Sequence, residues 1–221
     1  MASGFGELVL IVGDSHIPHR AAQIPDKFQK MLVPNKIQHI LCAGNMVTKE
    51  QFDEFRALAP NVHVVAGDSD HEAATFPDHK VVTIGQFRIG LCHGHQIVPW
   101  GDQFSLAALQ RKVRKEISYR FASRESQMNV DVLVTGHTHQ YVSFARCDML
   151  AMQADRAHIR AEDGKWFLNP GSITGAFSSA TSDVTPSFML MAVQGAKIVV
   201  FLYELKADNV VVSKSEFTKQ S

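Results

Sequence analysis

The sequence is short of the features that assign a protein quickly. Of its 221 residues only three are cysteine. Cys42, Cys92 and Cys147 make no CxxC pair, so the chain reads as one with buried or free thiols in a reducing, cytoplasmic compartment. An excess charge of one sign is missing too, since 22 Lys and Arg balance 22 Asp and Glu. That balance removes the long-range attraction that binders of nucleic acid or anionic membrane use. No apolar run approaches the ~18–20 residues of a membrane span, and residues 1–6 lack the basic start of a secretory signal. Internal repeats, low-complexity tracts and Pro/Gly linkers are also wanting. With 45% apolar and 20% charged residues the composition is that of an ordinary globular protein. At this length folding buries roughly 70–75% of the unfolded chain's surface. We therefore expect one domain over residues 1–221 that needs no metal for stability, so that any metal must be explained by function.

What the sequence has in plenty is histidine. There are eleven, and His16, His93, His95, His137 and His139 fall into three tight groups. Their setting follows from the hydrophobic pattern. Residues 7–12 (ELVLIV), 38–42 (QHILC) and 62–66 (VHVVA) are short β-branched runs of the kind buried on both faces of a sheet. Between them, residues 25–33 and 48–59 carry apolar side chains at helical spacing, with Pro25 placed for a first helical turn and Thr48 for an N-cap, Gln51 following three residues on. This βαβαβ start predicts parallel strands. Gly85-Gln86 between residues 80–84 and 87–92 predicts a tight hairpin. Residues 105–116 look helical and 131–135 form another buried strand. Strand patterns then follow at 141–146, 166–168, 187–193, 198–205 and 210–217. The expected class is α/β: a four-layer αββα sandwich of mixed sheets, parallel in the N-terminal half and antiparallel in the C-terminal half.

Five of these strands end in a metal-capable side chain: LVLIVG before Asp14-Ser15-His16, HILCAG before Asn45, VHVVAG before Asp68-Ser69-Asp70, RIGLC before His93-Gly94-His95, and VLVTG before His137-Thr138-His139. One such residue is more often a turn or cap, but independent turns have no reason to select this set five times. The carboxyl ends of α/β strands are where such folds place their sites, so the groups should converge at one edge of one sheet. Mixed imidazole and carboxylate ligands suit Mn²⁺, Fe²⁺ or Zn²⁺ better than Ca²⁺.

In these residues the chain resembles the calcineurin-like metallophosphoesterase superfamily, whose D-x-H, G-D, G-N-H-[DE], H and G-H-x-H motifs stand here as Asp14-Ser15-His16, Gly44-Asn45, Gly67-Asp68-Ser69-Asp70, His93 and Gly136-His137-Thr138-His139. The stretches GDSHIPHR, KIQHILCAGN, HGHQIVPWGD, NPGS and PSFMLM further resemble the vacuolar protein sorting 29 family, the small subunit of retromer, over residues 7–217. This resemblance implies two divalent metal sites, for Zn or Mn: one held by Asp14, His16, Asn45 and His139, the other by Asn45, Asp68, His93 and His137, with Asn45 bridging. It also implies a scaffold in endosome-to-Golgi retrograde transport and recycling, cytoplasmic and peripheral on the endosome membrane.

The departures from the superfamily bear on activity. Its mechanism uses two ions about 3.5–4 Å apart, bridged by a carboxylate and a hydroxide, whereas residue 45 is a neutral amide with one acceptor oxygen. Ser69 stands where phosphatases of the superfamily carry a His that protonates the leaving group, and a Ser hydroxyl cannot do that at neutral pH. Asp70, His71 and His95 are the remaining candidates for catalysis. Cations are scarce, with only Arg20 and Lys49 near the five loops. A non-catalytic scaffold is thus expected, with a metal-dependent phosphodiesterase or phosphatase as the alternative.

Directly after His95 stand Ile97, Val98, Pro99 and Trp100, an apolar rim of the kind that marks protein contacts. By resemblance it meets the large α-solenoid subunit of retromer, the vacuolar protein sorting 35 family. A second patch, Leu8, Leu32, Leu190 and Tyr203, matches the family's surface for regulators such as Rab GTPase-activating proteins. Two apparent insertions, at about 111–128 and 147–165, complete the sequence, the first with six basic residues from Arg111 to Arg124. Membrane association is expected to be indirect, through the complex.

Overall fold

The computed structural model describes residues 6–70, 76–98, 100–110, 128–145, 166–178 and 183–219. Among the described residues fourteen elements follow in chain order: β1 (Glu7–Val12), α1 (Asp26–Gln29), β2 (His39–Cys42), α2 (Lys49–Leu58), β3 (Asn61–Val64), β4 (His79–Ile84), β5 (Phe87–Cys92), α3 (Gln103–Gln110), β6 (Val132–Val134), β7 (Tyr141–Ala145), β8 (Trp166–Pro170), β9 (Ser187–Gln194), β10 (Lys197–Lys206) and β11 (Asn209–Thr218). They build two sheets, ordered β11-β10-β9-β1-β2-β3 and β4-β5-β6-β8-β7.

Strict alternation along each strand sorts the side chains into layers. Val9 and Ile11 of β1 and Leu41 of β2 point inward to meet Ile89, Leu91, Val132, Val134, Trp166 and Leu168 of the facing sheet. Their neighbours Leu10, Val12 and Ile40 point outward and are covered by Phe28 of α1 and Phe55 of α2. On the far side Leu133 and Phe167 pack under Leu106 of α3. This is the expected αββα order, and it accounts for strands that read as unbroken apolar runs: both faces are covered.

Both sheets are mixed, but the division runs through each sheet rather than between halves of the chain. In the first, β1, β2 and β3 are parallel while β9, β10 and β11 are antiparallel. In the second, the parallel trio β5, β6 and β8 lies between antiparallel β4 and β7. The hairpin pairs Ile84 with Phe87 across Gly85, whose φ of +55° only glycine adopts freely. Thr48 caps α2 and accepts from the Gln51 N–H. The first helix is shorter than its periodicity predicts. Pro25 has an extended ψ of 135° and serves as N-cap rather than first helical residue, and the chain leaves the helix after Gln29. Among the described residues no helix is long and apolar enough to cross a membrane. The second insertion, and the first up to residue 127, lie outside the described residues.

Candidate metal centre

The parallel strands of both sheets end at the same edge of the sandwich, so the ligand groups converge from two sheets rather than from one as the sequence suggested. β1, β2 and β3 deliver Asp14, His16, Asn45 and Asp68; β5 and β6 deliver His93, His137 and His139. The turns out of these strands are tight. Asp14, His16, Asn45, Val47, His137 and His139 all have positive φ, between 49° and 72°. For the β-branched Val47 that is a strained conformation, of a kind that persists only where its surroundings hold it. Gly67 is required because Asn45 lies against it: a Cβ there would stand 2.2 Å from Asn45 Oδ1.

Two triads result, Asp14 with His16 and His139, and Asp68 with His93 and His137, each with its ligand atoms within 4.8 Å of one another. Asp14 is fully buried and its Oδ1 lies 3.5 Å from His139 Nε2 and 3.9 Å from His93 Nε2, between the two groups. Asp68 Oδ1 is 2.9 Å from His93 Nε2 and 3.5 Å from His137 Nδ1. The orientation of the imidazoles is set from behind. His93 Nδ1 lies 2.7 Å from the Ala43 carbonyl and His139 Nδ1 lies 2.5 Å from the Ala176 carbonyl. A carbonyl only accepts, so each Nδ1 carries the proton and each Nε2 faces the centre, the arrangement by which proteins prepare histidine for a metal. His16 Nε2 and His139 Nε2 approach to 3.1 Å.

The electrostatics agree with a cation site. Burial, aided by Arg20 and His139, pulls His16 down to about 3, leaving a neutral imidazole. Contacts with His137 and His93, together with donation from the Asn45 amide, hold the Asp68 carboxyl far below the usual carboxylate range. At His93 burial opposes the charge, but Asp14, Asp68 and the Ala43 carbonyl outweigh it and raise its pKa. Two carboxylates and four imidazoles, two of them oriented from behind, fit a Zn²⁺- or Mn²⁺-like ion. Asn45 fits less simply, because its amide nitrogen rather than its oxygen faces the triads.

Asp70, offered above as a catalytic group, is occupied otherwise. Its carboxylate accepts from the backbone N–H of Asn45 (2.7 Å), Gly67 (2.7 Å) and Val47 (2.8 Å), and so clamps the strained turn after β2. His95 stands beside the second triad, its ring 5.3 Å from that of His93, and burial lowers its pKa. His71 and Pro99 lie outside the described residues. Arg20 is taken up by the Phe177 carbonyl and ring, and Lys49 pairs with Asp53.

The rim is partly as expected. Val98 and Trp100 are exposed, at 77% and 50%, and Trp100 sets its edge on His137 at 4.5 Å, while Ile97 is half-buried under α3. Phe177, not anticipated, is exposed on the Arg20 side. Leu8, Leu32, Leu190 and Tyr203 all join the apolar layer between the first sheet and its helices, with Leu32 buried and the other three half-buried. Sequence reasoning also gave no role to the NPGS stretch. Ser172 Oγ donates to the Asp14 carbonyl (2.6 Å), Thr174 to the Ser15 carbonyl (2.8 Å), and Asn169 Nδ2 to the Gly136 carbonyl (3.1 Å), so this segment ties the first and last ligand loops together. Its position directly after an apolar strand was the available signal.

Comparison with known proteins agrees. A family model for the calcineurin-like phosphoesterase superfamily domain matches residues 8–196. Vacuolar protein sorting-associated protein 29 of Schizosaccharomyces pombe is 32% identical over 216 residues, covering 96% of this chain and 98% of that protein. The structure of Vacuolar Protein Sorting 29 from Cryptosporidium parvum superposes with a TM-score of 0.79 at 38% identity, over 97% of this chain and all of that one. Wild-type Vps29 of Entamoeba histolytica, solved with Zn²⁺, gives 0.77 at 39% identity, over 96% and 99%.

Proposed function

The chain belongs to the calcineurin-like phosphoesterase superfamily and within it to the vacuolar protein sorting 29 family, and from that premise we propose that it is a non-catalytic retromer scaffold subunit. It binds the large α-solenoid subunit, of the vacuolar protein sorting 35 family, through the edge that carries the metal centre. The observation that carries this is the pair Val98 and Trp100, exposed apolar groups on one loop, with Trp100 set against His137 of the second triad. Substrate phosphates call for cations at such a mouth. Here Arg20 is held by Phe177 and Lys49 by Asp53, and Ser69 stands where a leaving-group acid would.

Desolvated aromatic and aliphatic anchors next to rigid polar groups are what protein interfaces use. The triads, which can hold Zn²⁺ or Mn²⁺, stand directly behind the loop that bears those anchors. Membrane attachment at the endosome then comes through the assembled complex, and of the second patch the half-buried Leu8, Leu190 and Tyr203 serve regulators such as Rab GTPase-activating proteins, while Leu32 is buried. The test is binding to the purified large subunit. Val98→Asp, an exposed change that leaves the fold intact, should weaken it by about tenfold or more. A folded Val98→Asp chain that binds with unchanged Kd would refute the interface. A second reading, a metal-dependent phosphodiesterase or phosphatase, is favoured by one observation, the two intact triads.

A further inference from the structure

Asn45 is buried, with only 1% of its surface exposed, and its amide has one orientation that its neighbours accept. Oδ1 receives the Ser69 backbone N–H at 2.9 Å. Nδ2 lies 3.1 Å from Asp14 Oδ1, 2.9 Å from Asp68 Oδ1, 3.0 Å from His93 Nε2 and 3.3 Å from His16 Nε2. The reverse orientation would set the oxygen against two carboxylate oxygens and the NH₂ against the Ser69 N–H, leaving buried polar groups unsatisfied on both sides. The atoms that Nδ2 touches come from both triads.

We infer that Asn45 is a built-in plug: its NH₂ takes the place of a cation between Asp14 and Asp68, so the centre keeps its shape without metal. A cation in the triads would meet the amide hydrogens. Metal binding therefore turns the amide and gives up the Ser69 bond. The side chain that spares the centre its need for metal also lowers its affinity for metal. The inference rests on the geometry of the centre and is independent of the retromer assignment.

The test compares the wild-type chain with Asn45→Asp, each in chelator and in Zn²⁺. Wild type should show nearly the same Tm in both. Asn45→Asp puts a third carboxylate beside Asp14 and Asp68, and should lose about 6 °C or more in chelator. It should recover in Zn²⁺, with Zn²⁺ affinity at least about tenfold above wild type. Should the variant fail to fold, wild type alone decides by NMR: the Ser69 amide resonance should shift as Zn²⁺ is titrated in, reporting loss of its acceptor. Equal loss of Tm on chelation in both chains, a wild-type Tm for Asn45→Asp in chelator, or an unmoved Ser69 amide at saturating Zn²⁺ would each overturn the inference.

Discussion

Two groups of histidines belong to the parallel strands of the sandwich, and they differ in kind. At the carboxyl ends His16, with His93, His137 and His139 from the second sheet, faces two aspartates, and backbone carbonyls hold two of its rings from behind. Toward the amino ends His39 and His63 stack at 5.9 Å, with Glu7 on His39 Nε2 at 2.9 Å. There neither nitrogen of His63 has a hydrogen-bond partner among the described residues. The contrast shows that histidine content alone does not make a site. Convergent lone pairs from several loops and strained turns do, and the second group, with its single Glu7 contact, has neither.

The largest expected break in this contrast is at Asp70. Asp70→Ala strips the acceptor from three backbone donors and releases the strained Val47 turn, which should cost about 3 kcal/mol or more in urea denaturation. Next come the ligands themselves. Asp14→Ala and His93→Ala should each remove about one equivalent of bound Zn²⁺ by elemental analysis, whereas His39→Ala and His63→Ala should leave the stoichiometry unchanged. Asn169→Ala, which touches no ligand atom, should weaken Zn²⁺ by roughly 10- to 100-fold, as loss of a supporting hydrogen bond does.

The smallest effect belongs to the amino-end pair. Burial, with help from Lys80 and His39, pulls His63 from 6.5 down to about 4. The unfolded chain takes up a proton between these values that the folded chain refuses. Stability should therefore fall as pH drops from about 6.5 toward 4, by roughly 1–2 kcal/mol once solvent screening of this half-buried ring is allowed for. Urea midpoints at pH 7 and pH 5 should converge in His63→Leu.

Much of this was legible in the sequence because it is local. Strand runs such as ELVLIV and QHILC declare themselves through β-branching and burial on both faces. The Gly85 hairpin and the Thr48 cap follow from single residues, and the ligands sit where strands stop. What escaped was non-local. That the ligand loops meet from two sheets depends on how the sandwich stacks. The work of Asp70 depends on three N–H groups, two of them more than twenty residues away. The direction of the Asn45 amide is set by Ser69, and no pattern within either loop encodes it. The short first helix was missed for a local reason, since helical spacing runs on past the turn where the chain leaves the helix.

The claim that the centre is metal-capable but non-catalytic is tested most directly by steady-state turnover of a generic aryl phosphodiester with added Mn²⁺ or Zn²⁺. We expect rates indistinguishable from the same metal without protein. Saturable turnover that disappears in both Asp14→Ala and His93→Ala would contradict the account.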